Sequence, residues 1–404
     1  MAETAHRPRV VVLSYSPIAR DPRVLRQVRL FSSFADVVTV GYGPTPDGVV
    51  EHVEIPESVR PWRTKRLRAP VLFALRWWSR LYFGSPRVKF VQQAVAAGSM
   101  DVVVANDELA VPVALTLRPR GGVHADLHEY SPRVGEDRPG WRRRVAPFMR
   151  WAVRQVRKAD TVTTVAPGLA KEYQREFGLN CAVVPNAAQY RDDLAPTAVP
   201  EPIRLVHIGI AGRARKLENM IDGVALLEQR RPGAFTLDII VAPGEADYIE
   251  ELKAHAADVA PQSARVLPPV PYNQMVDTLA AYDMGVFISP ATTFNLEHAL
   301  PNKFFEYVQA RLAVLVGPSP EMGPYVREHG FGVIAEGFTA EFMADVLEDL
   351  TPTEVSELKV AADQAAQTLS ADVMSQPWIS AVQRLIVRAQ PGWTAPGPER
   401  APAQ

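Results

Sequence analysis

The stretch Ile203-Arg-Leu-Val-His-Ile-Gly-Ile-Ala-Gly-Arg-Ala-Arg-Lys-Leu-Glu-Asn-Met-Ile221 joins a short apolar run to two glycines, three cations and the start of an amphipathic segment. A run this short and rich in branched residues reads as a buried strand, and the periodic segment after it reads as a helix. The same alternation extends in both directions. Before it lie the runs Arg9 to Leu13, Val37 to Val40, Asp101 to Ala105, Val123 to Leu127, Thr161 to Val165 and Ala182 to Val184. Beyond Ile208 follow Thr236 to Val241, Arg265 to Leu267, Met284 to Ile288, Ala313 to Val316 and Gly332 to Ile334. Short Val/Ile-rich runs separated by amphipathic segments are the pattern of parallel sheets covered by helices. Two doubly wound α/β domains are therefore expected, over residues 1–190 and 203–375, with the polar, Pro-containing stretch 191–202 as linker. Trp378, Val382 and Ile386 recur every four residues, so a helix over 376–390 is expected to pack back on the first domain. The Pro- and Ala-rich residues 391–404 are expected to be disordered. In open parallel sheets ligands sit outside the carboxyl ends of the strands, so a site in a cleft between two facing domains is expected.

Composition excludes several classes. At 404 residues the chain is too long for one ordinary core, and 47% hydrophobic with 22% charged residues excludes general disorder. The single cysteine, Cys181, cannot form an internal disulfide, and no Cys/His cluster has zinc-site spacing, which fits a reducing, cytoplasmic setting. No apolar run approaches the roughly 18 residues of a membrane span, and the Val10 to Leu13 run is too short for a secretory signal. A net charge of -1 conceals an asymmetry: residues 1–190 carry 28 Lys+Arg against 17 Asp+Glu, and residues 191–404 carry 16 against 28. The first half is thus expected to meet something anionic.

Three stretches carry chemistry. In Phe294-Asn-Leu-Glu-His-Ala-Leu-Pro-Asn-Lys-Phe-Phe-Glu-Tyr-Val-Gln-Ala-Arg-Leu-Ala-Val-Leu-Val-Gly-Pro318, Pro301 suits the first turn of a helix whose free N–H groups lie beside Lys303, a setting for phosphate. Glu306, one turn on, offers two acceptor oxygens to a vicinal diol such as a ribose. The plainer account is that Lys303 and Glu306 form an i, i+3 surface pair. In the opening stretch, Gly209 and Gly212 precede Arg213, Arg215 and Lys216, which can converge on a diphosphate or simply be solvated; the Gly-Lys-Ser/Thr end of the triphosphatase phosphate loop is missing. In Ala125-Asp-Leu-His-Glu-Tyr-Ser131, at a strand end, His128 and Glu129 are candidates for contacting a reacting group, or His128 merely meets a neighbouring carbonyl. Asn186, in Val184-Pro-Asn-Ala187, is placed at a strand end or caps a turn.

Taken together, these segments resemble glycosyltransferase family four, the retaining, nucleotide-sugar-dependent enzymes of the GT-B fold. Pro301-Asn-Lys-Phe-Phe-Glu-Tyr-Val with Ala313-Val-Leu is similar to the family's donor-binding helix, Asp126-Leu-His-Glu to its acceptor-side histidine motif, and Val183-Val-Pro-Asn to the segment closing the first domain. The match in order runs from Arg20-Asp-Pro-Arg-Val to the terminal helix. The resemblance implies that Glu306 holds the ribose, Arg215 and Lys216 neutralise the diphosphate, and Lys303 with Asn302 lies near sugar and phosphates. It places His128 by the donor sugar as a catalytic candidate with Arg215 and Lys216. Gly209 and Arg213 join the donor-side candidates, and Arg20, Asp21 and Glu129 the acceptor side. The family's usual glutamate eight residues before Glu306 is His298 here, so Asn295 and Glu297 are taken as candidate donor contacts.

The expected reaction is retaining glycosyl transfer from a nucleoside diphosphate sugar, most simply a UDP-sugar. No cofactor and no metal are expected, since no Asp-x-Asp sequence occurs, Asp192-Asp193 being adjacent residues of the linker, and fixed cations can meet the leaving charge. A catalytically silent GT-B protein that binds nucleotide or glycan is the alternative. The acceptor is a small molecule or a lipid-linked glycan. Residues 58–100 hold nine basic and no acidic residues, interleaved with Trp62, Phe73, Trp77, Trp78, Tyr82 and Phe83. Arg138 to Ala159 hold eight basic and no acidic residues, with Arg143, Arg150, Arg154 and Arg157 near one helical face. Such runs suit an anionic membrane surface, as peripheral attachment to the inner face, or an acceptor groove. The alternative is a helix with Val71, Leu75, Trp78 and Tyr82 on its core side and Arg76 and Arg80 in water. No nucleic-acid motif occurs.

Overall fold

The computed structural model describes residues 7–59, 68–242 and 244–396. The part of the expected tail beyond residue 396 lies outside them, as do Arg60, Trp62, Arg63, Lys65 and Arg66 of the first basic run. The chain forms two compact units: one runs to Val184 and takes in the chain from Gln376 onward, and the other spans Pro185–Ser375.

The first unit is built on seven strands, β1 (Arg9–Pro17), β2 (Asp36–Tyr42), β3 (Glu51–Glu54), β4 (Val102–Asn106), β5 (Gly122–Leu127), β6 (Thr161–Thr164) and β7 (Ala182–Val183). They lie in the order β3-β2-β1-β4-β5-β6-β7, all parallel. The second unit has six: β8 (Ile203–Ile210), β9 (Phe235–Ala242), β10 (Ala264–Leu267), β11 (Met284–Phe287), β12 (Ala313–Val316) and β13 (Gly332–Ile334), in the order β10-β9-β8-β11-β12-β13 and again parallel. Twelve of these strands coincide with the apolar runs, because parallel strands packed against helices are rich in apolar side chains. The exception is β3, Glu-His-Val-Glu, an edge strand with half-exposed side chains and no apolar run to announce it.

Four expectations need correction. The boundary lies at Val184/Pro185 instead of 190/191, and the supposed linker is bound into the second unit. Its polar backbone finds partners there: Arg191 N donates to Gln309 Oε1 at 3.2 Å, and Arg191 O accepts from the buried Arg311 Nη2 at 2.6 Å. A chain segment near a surface needs such partners more than it needs freedom. Order continues past residue 390, since Trp393 packs its ring 6.1 Å from that of Phe34. The stripe Val71, Leu75, Trp78 and Tyr82 is not one core face: the chain breaks into α2 (Arg68–Ala74) and α3 (Trp78–Phe83), with Arg76 at φ 57° between them. Tyr82 is buried, whereas Val71 and Leu75 face solvent. Arg143 and Arg150 likewise sit on separate helices, Trp141–Arg144 and Ala146–Val156, divided before Pro147, which cannot continue the donor ladder of a preceding helix.

The terminal helix Gln376–Ala389 buries Trp378, Val382, Leu385 and Ile386 among Val10, Val12, Val102 and Val104 of the first sheet and Val24, Val28 and Phe31 of α1 (Pro22–Ser32). Among the described residues no helix is long and apolar enough to cross a membrane.

Candidate functional site

Each sheet reverses its strand order once, between β1 and β4 in the first unit and between β8 and β11 in the second. Crevices outside the carboxyl ends at such points are where open α/β sheets take ligands.

In the second unit, the carboxyl end of β8 supplies His207 and Gly209, and the helix Asn302–Gln309 lays Lys303 and Glu306 against them. That helix is seated by Tyr307. Its ring packs on Gly285 of β11, where a Cβ would come within 2.3 Å, and Ile208 N donates to its hydroxyl at 3.3 Å. Lys303 is only 8% exposed, and its Nζ is buried with no hydrogen-bond partner. It lies 5.0 Å from the centre of the Phe287 ring. Gly209 makes room for it, because a Cβ there would stand 2.2 Å from Nζ and 3.4 Å from His207 Nε2. His207 Nδ1 donates to Val286 O at 2.8 Å, so Nε2 carries the lone pair; it too is buried without a partner. Burial, then the charges of Lys303 and Arg215, hold His207 well below its ordinary pKa, so this ring is neutral. Burial, with Arg215 adding, pulls the Lys303 ammonium down to about 7 against the opposing pull of Glu306. Arg215, half-buried, has its own pKa lowered by desolvation, and its carbonyl accepts from Ser289 Oγ at 3.1 Å. This is a cation-rich cluster at a strand end with Glu306, 5% exposed, one turn along the helix. Such a cluster suits an anion that carries a hydroxylated group.

The other residues proposed for the donor side have these surroundings. Arg213 spends its guanidinium on Glu251, with both contacts at 2.6 Å, and its backbone N–H on Glu245. Lys216 adopts φ 51° and faces Glu218 at 3.4 Å from an exposed position. Asn295 and Glu297 lie on the one-turn helix Phe294–Glu297, with Glu297 exposed. Position 298 is committed elsewhere: His298 Nδ1 meets the buried Glu321 carboxylate at 2.6 Å. Pro301 is the residue before the helix, not within its first turn, and Asn302 is the first helical residue.

The first unit holds a second buried charge. Asp126, at the end of β5 and fully buried, accepts from Arg23 Nε and Nη2 (both 2.7 Å), Gln27 Nε2 (2.8 Å), Thr163 Oγ1 (2.6 Å) and Trp378 Nε1 (3.2 Å). Burial alone would raise its pKa; Arg23, then His128, more than reverse that and hold it well below the ordinary value. His128 is oriented by the same hub, with Nε2 3.1 Å from Asn106 Oδ1 and 3.3 Å from Asp126 Oδ2. Both partners are acceptors, so Nε2 bears the proton. Burial tends to lower the His128 pKa, but Asp107, then Asp126, raise it overall. Asp107 stands in the left-handed region at φ 63°, with its carboxylate 3.7 Å from His128 Nδ1. Glu129 is exposed at the surface, and partial desolvation, then the charge of Asp107, raises its pKa. Asp21 is the N-cap of α1, accepting from Arg23 N and Val24 N at 3.2 Å, and Arg20 is exposed in the turn before it.

Sequence reasoning passed over Arg23, Gln27, Asn106, Asp107, Trp378 as a donor, His207 and Ser289. Arg23 lies within Arg20-Asp-Pro-Arg-Val and Asp126 opens Asp126-Leu-His-Glu, and a buried-strand aspartate was the available signal that a cation had to meet it.

No family model matches the sequence, and no curated protein does either. Solved structures match in fold. Anabaena HepE in complex with UDP and glucose is 14% identical, with a TM-score of 0.66 over 93% of this chain and 99% of that one. The α,α-trehalose 6-phosphate synthase of Burkholderia multivorans is 12% identical, with a TM-score of 0.68 over 95% and 100%. The sucrose-phosphate synthase of Thermosynechococcus elongatus is 12% identical, with a TM-score of 0.69 over 94% and 100%. At these identities the likeness is one of fold: two parallel-sheet α/β domains of the GT-B kind.

Proposed function

We propose that the chain is a glycosyltransferase that takes its sugar from a nucleoside diphosphate sugar held in the second unit. The observation that carries this reading is the buried, unpartnered Lys303 Nζ over Gly209, beside Arg215 and Glu306. A buried ammonium without a hydrogen-bond acceptor costs several kcal/mol in order of magnitude, and the oxygens of a diphosphate would supply the missing acceptor and further negative charge. Arg215 and Lys303 would meet the diphosphate and Glu306 the ribose hydroxyls. UDP is the nucleotide of choice because HepE, of the same fold, was solved with UDP and with UDP-glucose.

In the reaction, the bond from the sugar's anomeric carbon to the diphosphate oxygen breaks and a bond to the acceptor oxygen forms. The charge developing on the leaving diphosphate is stabilised by fixed cations placed before the reaction begins. Arg215 and Lys303 fill that role without a metal. The acceptor's proton passes to the departing phosphate on the same face, which gives retention and needs no separate protein base. His128, fixed through Asn106 and Asp126, is the first unit's candidate catalytic group.

A thermal-shift series with UDP, GDP, ADP and their glucose conjugates tests the reading, since a ligand that prefers the native state raises apparent stability. UDP and UDP-glucose are expected to raise the midpoint of the wild type, and that of Lys303→Met much less at the same concentration. Equal shifts in both proteins would remove Lys303 from the site, and absence of any shift would remove the donor. Binding without transfer or slow UDP-glucose hydrolysis would instead favour a silent nucleotide-binding protein.

A further inference from the structure

We propose that α2, α3 and the turn between them, with residues 141–156 beside them, form a face that docks on an anionic lipid bilayer. This goes beyond the donor-site reading and does not depend on it.

Three observations converge. First, the break at Arg76 turns apolar side chains outward: Val71 is 56% exposed, Leu75 52% and Trp77 49%, all within one short stretch. Aliphatic and indole side chains presented together by a short turn enter the headgroup and acyl boundary of a membrane. Second, the described parts of the two acid-free basic runs, far apart in sequence, meet at their aromatic side chains. The Trp78 ring meets that of Phe148 at 5.7 Å, and Tyr82 meets Trp151 at 5.5 Å. Of their arginines, Arg150 is paired with Glu176 at 2.5 Å, whereas Arg76, Arg80, Arg142, Arg143 and Arg144 have no carboxylate partner among the described residues. Third, Arg76, Trp77, Trp78, Ser79, Arg80 and Trp151 line an open cup of about 450 Å³, with the Arg80 guanidinium 4.8 Å from the Trp77 ring centre. Arginine over indole at the rim of an apolar cup suits a phosphate headgroup above acyl chains.

The charge selects an anionic partner, and the exposed Val71 and Leu75 select a lipid over a nucleic acid, because neither has a flat face on which a base can stack.

Flotation of the full-length chain with vesicles tests the proposal. Phosphatidylcholine vesicles with about 30 mol% phosphatidylglycerol are expected to carry the wild type upward, and pure phosphatidylcholine vesicles to leave it behind. Val71→Ser/Leu75→Ser/Trp77→Ser and Arg76→Glu/Arg80→Glu are each expected to lower the partition at least about tenfold. These side chains are exposed, so circular dichroism and the UDP thermal shift are expected to match the wild type. Wild type that ignores anionic vesicles, or either variant binding them as well as wild type, would overturn the proposal. Preference for a single-stranded RNA over the vesicles would overturn it too.

Discussion

Both sheets bury a charged side chain at their carboxyl ends, and they treat it in opposite ways. Asp126 in the first unit is met by Arg23, Gln27, Thr163 and Trp378. Lys303 in the second is almost as buried, yet its Nζ meets no acceptor. A buried charge satisfied by its own chain stabilises the fold and fixes what hangs from it, here His128. A buried charge left unsatisfied weakens the fold and pre-pays part of the desolvation that a ligand would otherwise meet. Burial and ionisation alone do not separate the two; the partners do.

The largest effect expected from breaking this contrast is on folding. Asp126→Asn leaves Arg23 buried and uncompensated and should cost about 3–5 kcal/mol in urea unfolding. A loss smaller than that of an ordinary surface substitution would mean the hub is not structural. Lys303→Met should do the reverse, leaving stability unchanged or higher while weakening UDP binding ~10–100-fold, the magnitude of one charged hydrogen bond. Calorimetry on the variant checks both halves, and a drop in stability comparable to that of Asp126→Asn would erase the distinction. Glu306→Ala should cost about tenfold in UDP affinity with the fold intact, and much less for a diphosphate lacking ribose. Retention of full affinity for UDP would take the ribose away from Glu306.

The smallest and sharpest test is pH. The ammonium of Lys303 is depressed in the fold from 10.5 to about 7, so between these values the unfolded chain binds more protons than the native one. Stability of the empty protein should therefore rise with pH across that window. A bound diphosphate favours the ammonium, so UDP affinity should be greatest below about 7 and fall as pH rises above it. Titration calorimetry in buffers of different ionisation enthalpy, run a little above neutral pH, should show proton uptake with wild type and none with Lys303→Met. Uptake that is the same in both would assign the proton to another group.

The strands were legible because each run is local, apolar and bounded by turns; β3 was not, because Glu-His-Val-Glu holds a single apolar residue. The Lys303–Glu306 helix was legible from its own spacing, and Arg215 from its place after two glycines. Arg213 and Lys216 carried the same local signal but had acidic neighbours, Glu251 distant in the chain and Glu218 close by, that draw them away. The residues 191–202 read as a free linker because their composition is polar, and only contacts with Arg311 and Gln309 show where they belong.

Periodicity and turn chemistry, written in the order of the residues, were enough for two doubly wound α/β units and for a set of candidate cations near a strand end. Which buried charge is answered and which is not depended on the assembled chain. Solvation and pairing are sums over neighbours drawn from every element, and Asp126 finds Trp378, or Lys303 finds Gly209, only after the sheets have closed around them.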